Sequence, residues 1–241
     1  MNAEEGPRIQ GPVVEQLVLD LSHPEPASFA NFVAGGNGEA VAALVALAAG
    51  NTRETGVLLW GAPGVGKSHL LAACVAAAHE AGRRVVAWNS PQALPAGDIA
   101  PSTLLVVDAV DTADTFGQAR LFTLVNQLGA GGGHWLAAAS APPARLALRE
   151  DLRTRLALGL VLEIVPLADA DKPQALAAYA RERGFRLADD VIDYLLAHGR
   201  RDMKSLVAAL AALDRQSLAT RRSITVPMLR DWLQGDLDLR R

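Results

Sequence analysis

Eight consecutive residues, Gly61-Ala-Pro-Gly-Val-Gly-Lys67-Ser68, fit the pattern GxxxxGK[ST], whose chemistry is the holding of phosphate. The apolar run Val57-Leu58-Leu59-Trp60 before it suits a buried strand, and the alanine- and leucine-rich run His69 to His79 after it suits a helix. A strand that feeds a glycine loop into a helix aims several backbone N–H groups at one point, where the helix dipole also favours an anion. Lys67 is then placed to reach the outer phosphates and the Ser68 hydroxyl to hold Mg²⁺. Lysine is scarce in this chain: Lys and Arg total 23, and only positions 67, 172 and 204 are lysine. A lysine at the one place the pattern demands is therefore informative. The expected ligand is a nucleoside phosphate, cradled by Gly61, Pro63, Gly64, Val65, Gly66, Lys67, Ser68 and His69.

Asp108 closes the apolar run Leu104-Leu-Val-Val107, about 40 residues after the loop. A carboxylate at the tip of that strand can join Ser68 in the Mg²⁺–water shell, as in P-loop nucleotidases generally. Many hydrolysing relatives of that class carry a second acid directly afterwards, to orient the attacking water. Here the position is Ala109, and the next acid is Asp111. Alanine cannot polarise water, so hydrolysis of the chain's own ATP is expected to be weak or absent unless Asp111 substitutes. No NKxD signature for guanine is present, which favours adenine: ATP or ADP, with Mg²⁺.

These residues need a scaffold that brings strand tips together. Strands are predicted at 56–60, 83–88, 103–108, 134–139 and 160–165, separated by helical stretches at 38–49, 67–81, 114–128 and 147–157. Alternation of this kind means an α/β fold, a five-stranded parallel sheet in an αβα sandwich. Ligands in such sheets sit at the carboxyl ends of the strands. After Pro166 the pattern turns all-helical, at 172–183, 189–198, 202–218 and 227–234, with Leu206, Leu210 and Leu213 on one face. The expected organisation is a tail at 1–25, a nucleotide-binding core at 26–166 and a small helical lid at 167–241. With 241 residues, half of them hydrophobic, a net charge of −3, a single cysteine and no long apolar run, the chain reads as a cytoplasmic protein without a disulfide framework. Neither a leader peptide nor a basic footprint for sequence-specific duplex binding is expected.

Six ordered segments resemble the DnaA-like AAA+ family of P-loop NTPases. Phe29-Ala-Asn31-Phe32-Val33-Ala-Gly35-Gly-Asn37 is similar to the segment that opens the family's core and lines its adenine pocket, which implies nucleotide contacts from Phe32 and Val33. Trp60 to Leu70 resembles its Walker A region, and Leu136-Ala-Ala-Ala-Ser140-Ala-Pro142-Pro143 its fourth strand and proline exit. Ser140 falls at sensor I, where DnaA usually has Asp. Asp151-Leu-Arg153-Thr-Arg155-Leu156 resembles box VII, which implies that Arg155 is a finger offered in trans to a neighbour's nucleotide. Arg201-Asp-Met-Lys204-Ser-Leu206 falls on the sensor II helix, where Lys204 replaces the usual arginine, keeping the charge and losing the bidentate fork.

One segment stands apart. Gln16-Leu17-Val-Leu19-Asp-Leu21 resembles the short peptides with which bacterial replication proteins dock into the sliding clamp, the β subunit of DNA polymerase III. A polar Gln16 anchor with Leu17, Leu19 and Leu21 along an extended strand suits an apolar groove. Joined to a DnaA-like core with no helix-turn-helix after the lid, the resemblance implies a regulator of replication initiation that binds the DNA-loaded clamp, meets DnaA, and stimulates hydrolysis of DnaA-bound ATP. An ATP-driven helicase loader of the DnaC type is the alternative. An intact loop and Arg155 suit it equally; Ala109 and the clamp-like peptide do not.

Overall fold

The computed structural model describes residues 26–91, 94, 97–200, 202–220 and 222–238; the clamp-like peptide with Gln16, Leu17, Leu19 and Leu21 lies outside them. The described chain runs α1 (Gly38–Ala49), β1 (Gly56–Trp60), α2 (Lys67–Glu80), β2 (Val85–Trp88), β3 (Leu104–Val107), α3 (Thr115–Ala130), β4 (His134–Ala139), α4 (Glu150–Ala157) and β5 (Leu160–Glu163). Four helices follow: α5 (Lys172–Glu182), α6 (Asp189–His198), α7 (Met203–Thr220) and α8 (Val226–Asp238). The strands form one five-stranded sheet in the order β2-β3-β4-β1-β5, and every neighbouring pair is parallel.

Period-two alternation in short apolar strands divides the core between the two faces. Val57, Leu59, Leu104, Val106 and Leu136 pack with Leu44, Leu47, Leu70 and Cys74 of α1 and α2. Leu58, Leu105, Val107 and Trp135 pack with Leu121, Leu124 and Leu128 of α3 and with Leu152 and Leu156 of α4. The late helices enclose a third core that includes Leu176, Val191, Leu195, Leu206, Leu210, Leu213 and Leu229. Arg183 and Asp214 form an ion pair inside that part of the molecule, 3.3 Å apart and each under a tenth exposed.

Several elements are shorter than the sequence suggests, and each shortening has a local cause. Expected strand 160–165 stops at Glu163 because Val165 donates its N–H to the Asn37 side chain (2.8 Å) instead of continuing the ladder. Expected helix 147–157 begins at Glu150 because Arg149 is extended and donates its N–H to Gln118 Oε1 (2.8 Å). Expected strand 83–88 begins at Val85, since Arg83 belongs to the turn after α2, where its guanidinium bonds the carbonyls of Leu47 and Ala48 at the end of α1.

Trp135 fills the junction of β1, β4 and β5, and two glycines make room for it. A Cβ on Gly56 would lie 2.1 Å from its Cδ2, and one on Gly159 2.6 Å from its Cζ2. Gly159→Ala is expected to lower the free energy of unfolding by about 1–3 kcal/mol, the usual cost of overpacking, and urea denaturation would measure it. At the amino ends of the strands, His134 Nδ1 lies 3.0 Å from Arg83 Nη2. Burial, with Arg83 beside it, holds the imidazole pKa below its ordinary value of 6.5. The unfolded chain then binds more protons than the folded one, so this contribution to stability is complete above about pH 6.5 and declines as pH falls through it. Melting temperatures between pH 7.5 and 5.5 should fall more steeply for the wild type than for His134→Asn.

Candidate functional site

The loop predicted to hold phosphate closes off β1 and opens α2, with glycines where the backbone requires them. Gly61, Gly64 and Gly66 have φ of 154°, 83° and 103°, the region that side chains disfavour. A Cβ at Gly61 would lie 2.4 Å from the Ile164 carbonyl oxygen, and one at Gly66 2.8 Å from Phe32 Cε2. The loop is thus pinned between the exit of β5 and the ring of Phe32. Pro63 is exposed and Val65 half-buried.

Lys67 donates from Nζ to the carbonyls of Gly61 (2.6 Å) and Ala62 (2.9 Å). Desolvation lowers its pKa from the ordinary 10.5, against the opposing pull of the Asp108 and Asp111 carboxylates. The ammonium therefore stands at the loop mouth with two acids in its field. Ser68 Oγ donates to Asp108 Oδ2 (2.6 Å), joining the first turn of α2 to the tip of β3. A hydroxyl and a carboxylate at this separation are hard oxygen donors of the kind Mg²⁺ takes alongside water and phosphate oxygens. Asp108 Oδ1 accepts the N–H of Ala109 (2.8 Å).

Ala109, at φ 50° and ψ 46°, is a non-glycine residue in the left-handed region. The turn it makes raises Asp111 against the end of β4, where Asp111 Oδ2 accepts from both the hydroxyl and the N–H of Ser140. Ser140 and Asp111 stand 29 residues apart, and no spacing in the sequence announces the bond between them.

On the other side of the loop, the Phe29–Asn37 segment is tied down at both ends. Ser28 and Asn31 exchange side-chain bonds with each other's N–H (2.9 and 3.2 Å). Asn37 is buried and pairs with the backbone of Val165 through both its amide groups, the second at 3.0 Å. His69 Nε2 lies 3.1 Å from the Ser28 carbonyl, and its ring meets that of Phe32 at a centroid distance of 5.6 Å. Phe32 thereby flanks the start of α2, His69 braces the segment, and Val33 is half-buried. Buried Asn37 is a positioning residue whose role the sequence did not reveal.

From the lid, Asp202 stands over the loop: a Cβ on Gly64 would lie 3.7 Å from Asp202 Oδ1. Lys204 belongs to the first turn of α7, and its side chain lies outside what the structure describes. Arg155 is exposed on α4, beside a shallow groove lined by Phe122, Arg149, Asp151, Thr154 and Leu158.

Comparison with known proteins bears on the fold and on the late helices. Residues 169–233 match the family model described as "Hda, lid domain". Domain III of the Thermotoga maritima replication initiation protein DnaA superposes with a TM-score of 0.75 at 21% identity, over 87% of this chain and 96% of that one. The chain has a DnaA-like AAA+ fold with an Hda-type lid. AMPPCP-bound DnaA from Aquifex aeolicus gives a TM-score of 0.65 at 22% identity, over 81% of this chain and 67% of the other. The Thermotoga maritima RuvB Holliday junction branch migration motor gives 0.67 at 16%, over 87% and 72%. The residues that this lid model matches run from just before α5 into α8, and among the described residues no helix is long and apolar enough to cross a membrane.

The Lys67 bonds are made to loop carbonyls at the surface of the cradle, so Lys67→Ala should change unfolding free energy by under about 1 kcal/mol. The same substitution is expected to weaken binding of ADP and ATP at least about tenfold by titration calorimetry, because a charge at the outer phosphates is lost.

Proposed function

We propose that this protein is an Hda-type regulator of replication initiation: it holds an adenine nucleotide, is tethered to the DNA-loaded sliding clamp, and promotes hydrolysis of ATP bound to DnaA. The single observation that carries the reading is an Hda-type lid on a DnaA-like core, with Arg155 exposed on α4. Binding of AMPPCP by the Aquifex aeolicus DnaA supports adenine as the base.

In this reading Gly61, Gly64 and Gly66 let the loop wrap the phosphates, Lys67 neutralises the outer ones, and Ser68 with Asp108 holds Mg²⁺. Phe32 and Val33 pack beside the base, and Lys204 approaches from the lid. The bound nucleotide supplies the phosphate charge around which core and lid set their relative geometry. Ala109 offers no carboxylate for water, which fits holding rather than turnover.

Arg155 acts elsewhere. Leu152 and Leu156 are fully buried, which fixes the rotation of α4 about its axis, while Thr154, Arg155 and Leu158 project outward. Leu158, 66% exposed, sets an apolar contact beside the guanidinium. Such a surface can dock on a neighbouring AAA+ core and deliver the arginine to the partner's γ-phosphate. An arginine finger supplied in trans is worth roughly 10³–10⁵ in rate. Clamp docking through Gln16, Leu17, Leu19 and Leu21 raises the effective concentration near DnaA by the arithmetic of linked binding.

Hydrolysis of DnaA-bound ATP, followed with labelled nucleotide in the presence of DNA-loaded clamp, tests the reading. Wild-type protein should stimulate it, and Arg155→Ala should remove at least about 99% of the stimulation while leaving nucleotide and clamp binding intact. Gln16→Ala with Leu19→Ala should abolish retention on immobilised clamp. Absence of stimulation by the wild type sinks the inactivator reading, and brisk ATP turnover by the protein alone would favour the loader.

A further inference from the structure

Segment 28–37 is held at two points, and the residues assigned to the base in the reading above stand between them. Its near end is fixed to α2, where His69 Nε2 lies 3.1 Å from the Ser28 carbonyl. Phe32 follows, so close to the phosphate loop that a Cβ on Gly66 would lie 2.8 Å from its Cε2. The far end is fixed to the exit of β5. There the Ile164 N–H still reaches the Trp60 carbonyl of β1 (2.7 Å). One residue later Asn37 takes over the pairing, donating from Nδ2 to the Val165 carbonyl (3.0 Å) and accepting the Val165 N–H at Oδ1 (2.8 Å).

A carboxamide carries the donor and the acceptor of a peptide group, so Asn37 does for Val165 what a neighbouring strand would do. The pair is buried on the Asn37 side, which is 4% exposed. The backbone around it fits closely: a Cβ on Gly36 would lie 3.2 Å from Val165 Cγ2. One on Gly35, where φ is 51°, would lie 2.8 Å from Leu167 Cδ1. Cutting one of two attachments lets a short segment leave its place for part of the time. A site competent for only a fraction of the time binds with a dissociation constant raised by the inverse of that fraction. The phosphate loop has its own anchors in β1 and α2, so loss of the far attachment falls on the base and spares the phosphates.

We propose that Asn37 is a positioning residue for the base half of the nucleotide site, holding Phe32 and Val33 beside the phosphate loop by clasping Val165. This rests on the nucleotide-binding reading above and deepens it. The clasp joins residues 128 apart in sequence and ties the base half of the site to the strand exit from which the chain continues toward α5.

Binding of a ligand with a base and of one without separates this role from a merely structural one. Titration calorimetry on the full-length protein compares MgADP with magnesium pyrophosphate for wild type, Asn37→Ala, Asn37→Asp and Gly35→Ala. Asn37→Ala should raise the Kd for MgADP about tenfold, the result of a segment in place about one tenth of the time, and leave that for pyrophosphate within about twofold. Asn37→Asp keeps the acceptor for the Val165 N–H and loses the donor to its carbonyl, so it should fall between. Gly35→Ala leaves the clasp residue intact and strains the same segment, so it should reproduce the split even where Asn37→Ala does not fold. Hydrogen exchange should quicken in residues 29–35 of the variants and stay unchanged in residues 61–68. Equal losses for both ligands, or MgADP affinity and exchange unchanged in every folded variant, overturn the proposal while leaving nucleotide binding standing. Failure of the wild type to bind MgADP overturns both.

Discussion

Parallel pairing of β1 with β4 on one side and β5 on the other is the constraint on which everything else here depends. Trp60 pairs with Ala139 and with Glu163, so three strand exits are held at one level. The glycine loop leaves from the centre, Ser140 from one flank and the Ile164–Val165 backbone from the other. Pairing of β3 with β4 then brings Asp108 and Asp111 to the same edge. Ser68, Asp108 and Ser140 span 72 residues of sequence and meet because all strands run the same way. An antiparallel neighbour would have sent one of these groups to the far end of the sheet. The right-handed crossover helices that parallel pairing demands are also what cover both faces, so the core and the site are products of one topology.

The two ends of the sheet are treated in opposite ways. At the amino ends, Arg83 caps the carbonyls at the end of α1 and sits against His134, closing that side with internal bonds. At the carboxyl ends, the donors of the loop face outward and the acids gather around Lys67. Cys74, between them in α2, is buried with its thiol pKa pushed up to about 12, which makes it a packing group rather than a nucleophile.

What could be read from sequence was what is decided locally. The loop, the strand before it and the helix after it lie within 25 residues, and their pattern specifies phosphate binding by itself. Strand existence and parallel pairing followed from apolar runs alternating with helical stretches, and the single buried face of α7 followed from leucine spacing. Element ends were less legible, since Val165 and Arg149 stop their elements by bonding to Asn37 and Gln118 from distant segments. The Asp111–Ser140 bond has a separation of 29 residues, and no local spacing announces it. A left-handed alanine is equally silent in sequence, where only glycine or asparagine would have hinted at it. The clamp-like peptide lies outside the described residues, and the Lys204 side chain outside what the structure describes.

In the proposed reading two cations carry two different tasks, and the fold keeps them apart. Lys67 is turned inward, half-buried, bonded to its own loop and shadowed by Asp108 and Asp111. Arg155 is turned outward on a helix whose rotation two buried leucines fix. A site built to hydrolyse its own ATP would place an acid where Ala109 stands. A protein that lends charge to a neighbour needs the reverse: a retained nucleotide that stiffens the core, and a cation that stays at the surface until a partner covers it. On the proposed docking, desolvation would strengthen the arginine's interaction as the partner's phosphate charge is stabilised, because the same charges attract more strongly once water is excluded. Under that proposal, separation of the two cations makes holding and stimulating compatible in one chain.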